Sequence, residues 1–375
     1  MPLLNTLQVQ HFRNLGGATL HLGPAFNVFY GENASGKTSI LEAIYLLSAN
    51  RSFRTHKPHY LIQHDKDQLT VFGELLGEDA HLDKVGISRN RAGEVQIRKN
   101  GANVHSSSEL AQGFPCLTLD PESFNLFDGS PKARRAILDW LVFHVKPDFL
   151  NAWKNYARAL KQRNMLLRRG KINRLELLPW DTLLCKEALK VEAMREEVLV
   201  EFIELFENVL SAMSDEFDQN IELSYKTGWP AGTTLDSEES LLTVLDGLWQ
   251  RDLELGYSSS GSHRFDLKFQ YCHRLASENL SRGQKKSVVI ALHQAMAMLF
   301  VRRTGHTPAI LLDDLPSELD SKRLTALCEN LRSLGSQLFI SAVAREQLAT
   351  VLEKMKDTPC SWFHVKQGQI TVNNQ

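Results

Sequence analysis

The sequence predicts an α/β fold, a mixed sheet with flanking helices, split by an inserted and mainly helical domain. Three observations predict it. An apolar run, FNVFY (Phe26 to Tyr30), feeds a glycine-rich loop that opens a helix. A second apolar run, AILLDD (Ala309 to Asp314), ends in paired carboxylates, as strands do at the ligand crevices of parallel sheets. Between them, from about Ser130 to about Phe265, short strands give way to long amphipathic helices. The expected domains are 1–125, 126–262 and 263–375, the first and last forming one sheet domain.

Taken in order, LNTLQVQHF and ATLHLG read as strands around a turn at Gly16-Gly17, and FNVFY as a third strand. Thr38 to Ala49 places Ile40, Leu41, Ile44, Tyr45 and Leu47 at helical spacing. QLTVFGELL (Gln68 to Leu76) and VQIRKNG (Val95 to Gly101) are further strands, the latter turning at Asn100-Gly101. Pro131 suits the first turn of a helix. Phe149, Trp153, Tyr156, Leu160 and Leu167 then recur near the helical period up to Gly170. A second stripe runs from Trp180 to Met213 through Leu184, Ala188, Val191, Val198, Phe202, Leu205 and Val209. The two make a helical hairpin joined near Gly170 to Pro179. After Phe265 come a helix from Lys285 to Arg303, the strand AILLD, a helix from Ser321 to Leu334, the strand QLFISAV and the pair SWFHVK and QITVN.

Composition narrows the class. At 375 residues, 43% hydrophobic and 23% charged, the chain reads as soluble and globular. A net charge of -1 places any basic surface locally. Five scattered cysteines (Cys116, Cys185, Cys272, Cys328, Cys360) form no CxxC or His-paired set. That speaks against a zinc site or a disulfide framework and for a reducing, cytoplasmic setting. The opening MPLLNTLQVQHF lacks the apolar run of a secretory signal, and no stretch approaches the roughly 20 residues that span a bilayer.

The hairpin arms carry opposed charge. Ser130 to Arg174 holds twelve Lys and Arg against Asp139 and Asp148. Glu176 to Glu222 holds thirteen Asp and Glu against Lys186, Lys190 and Arg195. Paired across the hairpin, these charges neutralise each other. At the tip the acids thin out, and Arg163, Arg168, Arg169, Lys171 and Arg174 offer a patch for phosphates. Both readings stand at this level.

The loop itself is GENASGKT: Gly31, Glu32, Asn33, Ala34, Ser35, Gly36, Lys37 and Thr38. It fits GxxxxGK[ST], with the strand before and the helix after that the pattern requires. Glycines let backbone N–H groups crowd around phosphates, and the helix N-terminus adds partial positive charge. Lys37 is placed to bridge the outer phosphates of ATP and Thr38 to ligate Mg²⁺. Asp313 is placed to complete the Mg²⁺ shell and Asp314 to polarise an attacking water. LSRGQ (Leu280, Ser281, Arg282, Gly283, Gln284) opens a helix with a hydroxyl and free N–H groups aimed outward. SELD (Ser317, Glu318, Leu319, Asp320) follows the paired aspartates.

P-loop, LSxGQ-like turn, DD-terminated strand and SELD come in the order of an ABC-type ATPase. The set resembles the ABC-type, SMC-like group of DNA-repair ATPases and, within it, the RecF family. Supporting segments are HFRN, YGENASGKTSILEAIY, RSFR, GSPKARRAILDW, ALKQRN, GSHRFDL, LSRGQ, DDLPSELD and VKQGQI, which span essentially the whole chain.

The resemblance implies an ABC-type P-loop ATPase domain with an inserted helical lid. It also implies an ATP-dependent homodimer in which Leu280–Gln284 of one copy acts in trans on the other's nucleotide. The dimer would bind DNA at gaps and junctions, with RecO and RecR, in recombinase loading, replication restart and the SOS response. Arg51, Arg54 and Lys57, behind the first helix, join the arm-tip cations as candidate DNA contacts, with a solvated loop as the equal alternative for these three. The chain departs from the pattern at Gly261-Ser262-His263 (usually Gly-Pro-His) and at Leu315-Pro316 before SELD. It also carries Asp314 where ABC ATPases have glutamate, and Ser341-Ala342-Val343 where they have a histidine. These last two imply slow hydrolysis in which ATP times dimerisation, and the resemblance implies a weak ATPase stimulated by DNA. An ATPase subunit of a membrane transporter is the alternative, disfavoured by the long charged insertion. A condensin-like architecture is disfavoured by the short arms.

Overall fold

A computed structural model describes residues 2–373 apart from 78–79, 214–216, 218–220 and 356. Asp215, Glu216 and Asp218 of the acidic arm lie outside the described residues. The chain divides into two compact units, one of residues 1–124 and 300–375, the other of 125–299.

The first unit opens with β1 (Leu3–Phe12), β2 (Leu15–His21), β3 (Phe26–Tyr30) and α1 (Lys37–Ala49). β4 (Gln68–Leu76), β5 (Leu82–Asn90), β6 (Val95–Lys99), β7 (Ala102–Asn103), α2 (Ser107–Gly113) and β8 (Cys116–Leu119) follow. The second unit holds α3 (Pro131–Val145), α4 (Phe149–Leu167), α5 (Arg174–Ser211), β9 (Ile221–Lys226), α6 (Glu238–Gly247) and α7 (Trp249–Leu255). It continues through β10 (Asp266–Tyr271), β11 (Arg274–Leu275), α8 (Ala276–Asn279) and α9 (Arg282–Thr304), within whose last turns the chain returns to the first unit. β12 (Ala309–Leu312), α10 (Leu315–Glu318), α11 (Ser321–Ser333), β13 (Leu338–Ala342), α12 (Ala349–Lys354), β14 (Cys360–Lys366) and β15 (Gln369–Val372) complete it.

Two sheets build the first unit. One is antiparallel in the order β2-β1-β4-β5-β6-β7, the other runs β15-β14-β3-β13-β12-β8. In the second sheet β8, β12, β13, β3 and β14 are parallel. Its central strands are buried along almost their whole length, which is why FNVFY, AILL and LFISA read as unbroken apolar runs. In α1, Ile40, Ile44 and Leu47 join one core cluster with Phe29 and Phe339 of the parallel sheet and Leu4 and Val71 of the antiparallel one. The helix carrying the glycine-rich loop is thus held between two sheets. The second unit has its own three-stranded sheet, β11-β10-β9.

The expected strands and the helices after Phe265 are found within a few residues, and Asn100-Gly101 turns with both φ positive (51° and 83°). Three expectations are corrected, and some elements were not foreseen. The β1–β2 turn falls at Arg13-Asn14; Gly16 and Gly17 lie inside β2, where Gly17 pairs with Gln10. α5 begins at Arg174 rather than near Trp180, because Asn173 and Glu176 form a reciprocal capping box, and Pro179 lies inside the helix. β5, β8 and α2 were not foreseen, their apolar patterns being short or irregular. The second boundary falls at residue 299 rather than 262, because β10 pairs along its length with β9 of the insertion and Arg134 grips Asp266 in a two-pronged ion pair.

Candidate nucleotide site

The glycine-rich loop leaves β3 and closes on the N-terminus of α1, in the first unit. Its backbone needs glycine at two places. Gly31 has φ 153° and a Cβ there would lie 2.1 Å from the Val365 carbonyl oxygen; Gly36 has φ 119° and a Cβ would press on Leu15 and Asn14 at 3.0–3.1 Å. The loop is braced from outside. Asn14 Nδ2 donates to the Ala34 carbonyl (3.2 Å), Ser39 Oγ donates to Asn14 Oδ1 (2.9 Å), and the Gly368 N–H donates to the Ser35 carbonyl (2.8 Å). Arg13 in turn grips buried Glu42 of α1 through Nε and Nη2 (3.0 and 2.7 Å), and Ser52 Oγ donates to the same carboxylate. These contacts explain the displaced turn: Arg13 and Asn14 are needed where they reach α1 and the loop.

Lys37, 7% exposed, donates from Nζ to the Gly31 and Glu32 carbonyls at 2.6 and 2.8 Å, lying across the loop. Burial lowers its pKa, while Asp314 and Asp313 pull the other way. Thr38 Oγ1 donates to Asp313 Oδ1 at 2.9 Å, joining the start of α1 to the end of β12. Burial raises the Asp313 pKa against hydrogen bonds from Ser341 and Thr38 and the nearby Arg54 charge. Asp314 takes a left-handed conformation (φ 52°) at the start of α10, where Ser317 Oγ donates to its Oδ1 at 2.9 Å. Asp320 caps α11, accepting from the Arg323 N–H at 2.9 Å, which lowers its pKa, and Leu319 is buried.

The donor set fits a nucleotide with Mg²⁺. The two glycines leave a cradle that a Cβ would fill, a lysine and a helix N-terminus converge on it, and a hydroxyl and a carboxylate stand together at its edge. The Ser35 hydroxyl is buried in the loop and has no hydrogen-bond partner among the described residues. A cleft of about 760 Å³ adjoins the loop, with Arg13, Arg54, His59, Tyr60 and Arg91 on its other walls. His59, Tyr60 and Arg91 were missed in the sequence. Only the pinning of their segment beside β1, by the Phe12–Ile62 bridge and the Arg91 bonds to the Gln63 and Lys66 carbonyls, brings them there.

The LSRGQ turn, Leu280 to Gln284, lies in the second unit. The Ser281 N–H donates to Gln284 Oε1 (3.0 Å) and the Gln284 N–H to Ser281 Oγ (3.2 Å), a reciprocal cap opening α9 and leaving Ser281, Arg282 and neighbouring Gly283 at the surface or partly so.

Among the expected DNA contacts, Arg51, Lys57, Arg168, Arg169 and Lys171 are exposed. Arg54 is exposed too, but lines the loop cleft. Arg163 is a correction: its side chain is 0% exposed, with Nε on Asp181 and Nη1 on Asp252, both at 2.7 Å, and Ser258 Oγ at 2.8 Å. A basic residue read as a solvent phosphate contact is the centre of a buried ion network. Arg174 is tied to Asp181 and Asp246 and lies over the Trp249 ring, so the free arm-tip cations reduce to Arg168, Arg169 and Lys171.

Fold and site together define an ABC-type ATPase head of the RecF and SMC kind. The family description "RecF/RecN/SMC N terminal domain" matches residues 3–371. The chain is 44% identical to the DNA replication and repair protein RecF of Teredinibacter turnerae, over all of this chain and 97% of that one. It is 42% identical to the RecF of Saccharophagus degradans, over the full length of both. This chain belongs to the RecF family. A solved structure described as the recombination mediator protein RecF-ATP in the RecFOR pathway superposes with TM-score 0.88 at 25% identity, covering 99% of this chain and 98% of that one. An Smc head domain from Pyrococcus furiosus matches at TM-score 0.55 and 15% identity, which speaks for the fold alone. Relatives named RecF at this level set the transporter alternative aside. Among the described residues no helix is long and apolar enough to cross a membrane.

Proposed function

We propose that this chain is an ATP-dependent DNA-binding protein of recombinational repair, acting in the cytoplasm with RecO and RecR. The observation that carries the reading is the Thr38–Asp313 pair beside the glycine loop, in a member of the RecF family that aligns along the whole of a curated relative. Lys37 and the α1 N-terminus would neutralise the outer phosphates of ATP, and Thr38 with Asp313 would hold Mg²⁺. Bound Mg²⁺ would supply charge neutralisation at those phosphates. Asp314 accepts the proton of the attacking water, but it is one methylene shorter than the usual glutamate and is shared with Ser317. Hydrolysis is therefore slow, and DNA stimulates it. ATP chiefly drives two copies together, each offering Ser281 to the other's nucleotide, and the dimer closes on gapped or junction DNA. Arg168, Arg169 and Lys171 meet phosphates without reading sequence.

Sedimentation velocity with and without ATP, repeated with gapped DNA, tests this. The expected result is monomer without ATP, dimer with ATP, and a heavier species with DNA, all ATP-dependent changes being lost in Lys37→Ala. Equal sedimentation with and without ATP, or undiminished ATP-driven dimers in Lys37→Ala, overturns it.

A further inference from the structure

β13 lies between β3, which feeds the glycine loop, and β12, which ends in the two aspartates. Ser341, next to last on β13, stands where the sequence lacks the histidine-bearing segment of ABC engines, and nothing above gives it a task. It is 1% exposed. Its Oγ donates to Asp313 Oδ1 at 2.7 Å and accepts from the Asp314 N–H at 2.8 Å.

We propose that Ser341 is a positioning residue that holds Asp313 in place for the metal and ties it to the Asp314–Asp320 turn. The inference rests on the ATP reading above.

A hydroxyl has one proton to donate and two lone pairs to accept with. Ser341 sends the proton to one carboxylate and takes the main-chain N–H of the next residue, so a single side chain spans both aspartates. Asp313 Oδ1 also accepts from Thr38. Thr38 is the residue whose oxygen a cation engages, and Ser341 is then the hydroxyl donor left to orient Asp313. Beyond Asp314 the line continues, since Ser317 Oγ and the Ser317 N–H both donate to Asp314. Thr38, Asp313, Ser341, Asp314 and Ser317 form one unbroken hydrogen-bonded path from the glycine loop to the first residue of SELD. Alanine at 341 cuts it at the middle, removing the acceptor of the Asp314 N–H and leaving Asp313 Oδ1 with Thr38 alone. Asp314 sits in a left-handed conformation that few residues adopt unaided, so its amide tie matters to the turn that follows.

The test is equilibrium binding of a methylanthraniloyl-labelled ATP to the full chain, in MgCl₂ and in EDTA, for the natural protein, Ser341→Ala and Ser341→Thr. Ligand-orienting partners beyond the metal's own shell typically alter metal affinity ~10–100-fold. Ser341→Ala should bind in EDTA as the natural protein does, which also shows that it is folded, and should lose at least about tenfold of the gain conferred by Mg²⁺. Ser341→Thr, which keeps the hydroxyl, should recover most of that gain. An unchanged Mg²⁺ gain in Ser341→Ala overturns the proposal. So does an equal loss in MgCl₂ and EDTA, which would mark Ser341 as a packing residue alone. A natural protein that gains nothing from Mg²⁺ would instead bring down the ATP and metal reading on which the proposal stands.

Discussion

Replacing Arg163 separates a structural arginine from a DNA contact. In Arg163→Ala the carboxylates of Asp181 and Asp252, both 0% exposed, lose their shared guanidinium. Asp181 keeps Arg174 and Asp252 keeps the Ser259 N–H at 2.9 Å, so neither is left bare. Breaking a buried pair by removing one partner costs ~3–5 kcal/mol, and these remaining contacts point to the lower half of that range. Lysine does not rescue it, because one ammonium cannot reproduce a fork that reaches two acids and Ser258. At roughly 2–4 °C per kcal/mol for a unit of this size, the melting temperature should fall by about 6–15 °C. Urea unfolding followed by tryptophan fluorescence suits the question, because Trp140, Trp153, Trp180, Trp229 and Trp249 all lie in the second unit and only Trp362 in the first. The triple variant Arg168→Ala, Arg169→Ala, Lys171→Ala should behave oppositely. Its unfolding midpoint should hardly move, while the slope of log affinity for duplex DNA against log salt should drop by roughly 0.9 per lost contact. The reasoning fails if Arg163→Ala unfolds with the natural protein and instead flattens that slope.

Three further outcomes are expected. Ser281→Arg should leave ATP binding to the monomer intact and block ATP-driven dimers in sedimentation, because the turn acts on the partner's nucleotide; a variant that still dimerises refutes the trans arrangement. Gly31→Ala should lose ATP binding by at least about a hundredfold in equilibrium dialysis, since its Cβ would meet the Val365 carbonyl at 2.1 Å and the loop must deform; near-natural affinity refutes the cradle. His263, bonded to the Tyr156 hydroxyl at 2.8 Å, has its pKa lowered to about 4, first by burial and then by Arg264. A histidine neutral in the fold and charged when unfolded contributes stability present above pH 6.5 and lost as pH falls toward 4, by up to ~3 kcal/mol. Unfolding midpoints at pH 7 and 5 should show this loss, and His263→Asn should lessen it; identical slopes in both proteins refute the assignment.

Local chemistry was readable in the sequence. GENASGKT, the apolar strand ahead of it and the two aspartates ending AILLDD are runs of neighbouring residues whose geometry follows from glycine conformation, helix start and strand burial. They point to a phosphate site and to the family without reference to the tertiary fold. The charge of the arm tip was also readable, but as a count of cations, and a count does not distinguish a solvated arginine from one closed over two acids. Arg163 needed Asp252, which is 89 positions away and invisible to helical periodicity.

The same limit applies wherever a partner is remote. Glycines at 16 and 17 look like the better turn, yet Arg13 and Asn14 take it because Glu42 and the glycine loop wait for them across α1. By residue pattern the insertion ends before Phe265, yet the next strand hydrogen-bonds back to β9. Ser341 reads as a missing histidine, and acquires its task only when β13 is laid between the loop strand and the aspartate strand. Residue type and spacing along the chain determine what a segment can donate, accept or bury. Which group it meets depends on strand order and helix packing, and those are settled by burial summed over the whole core.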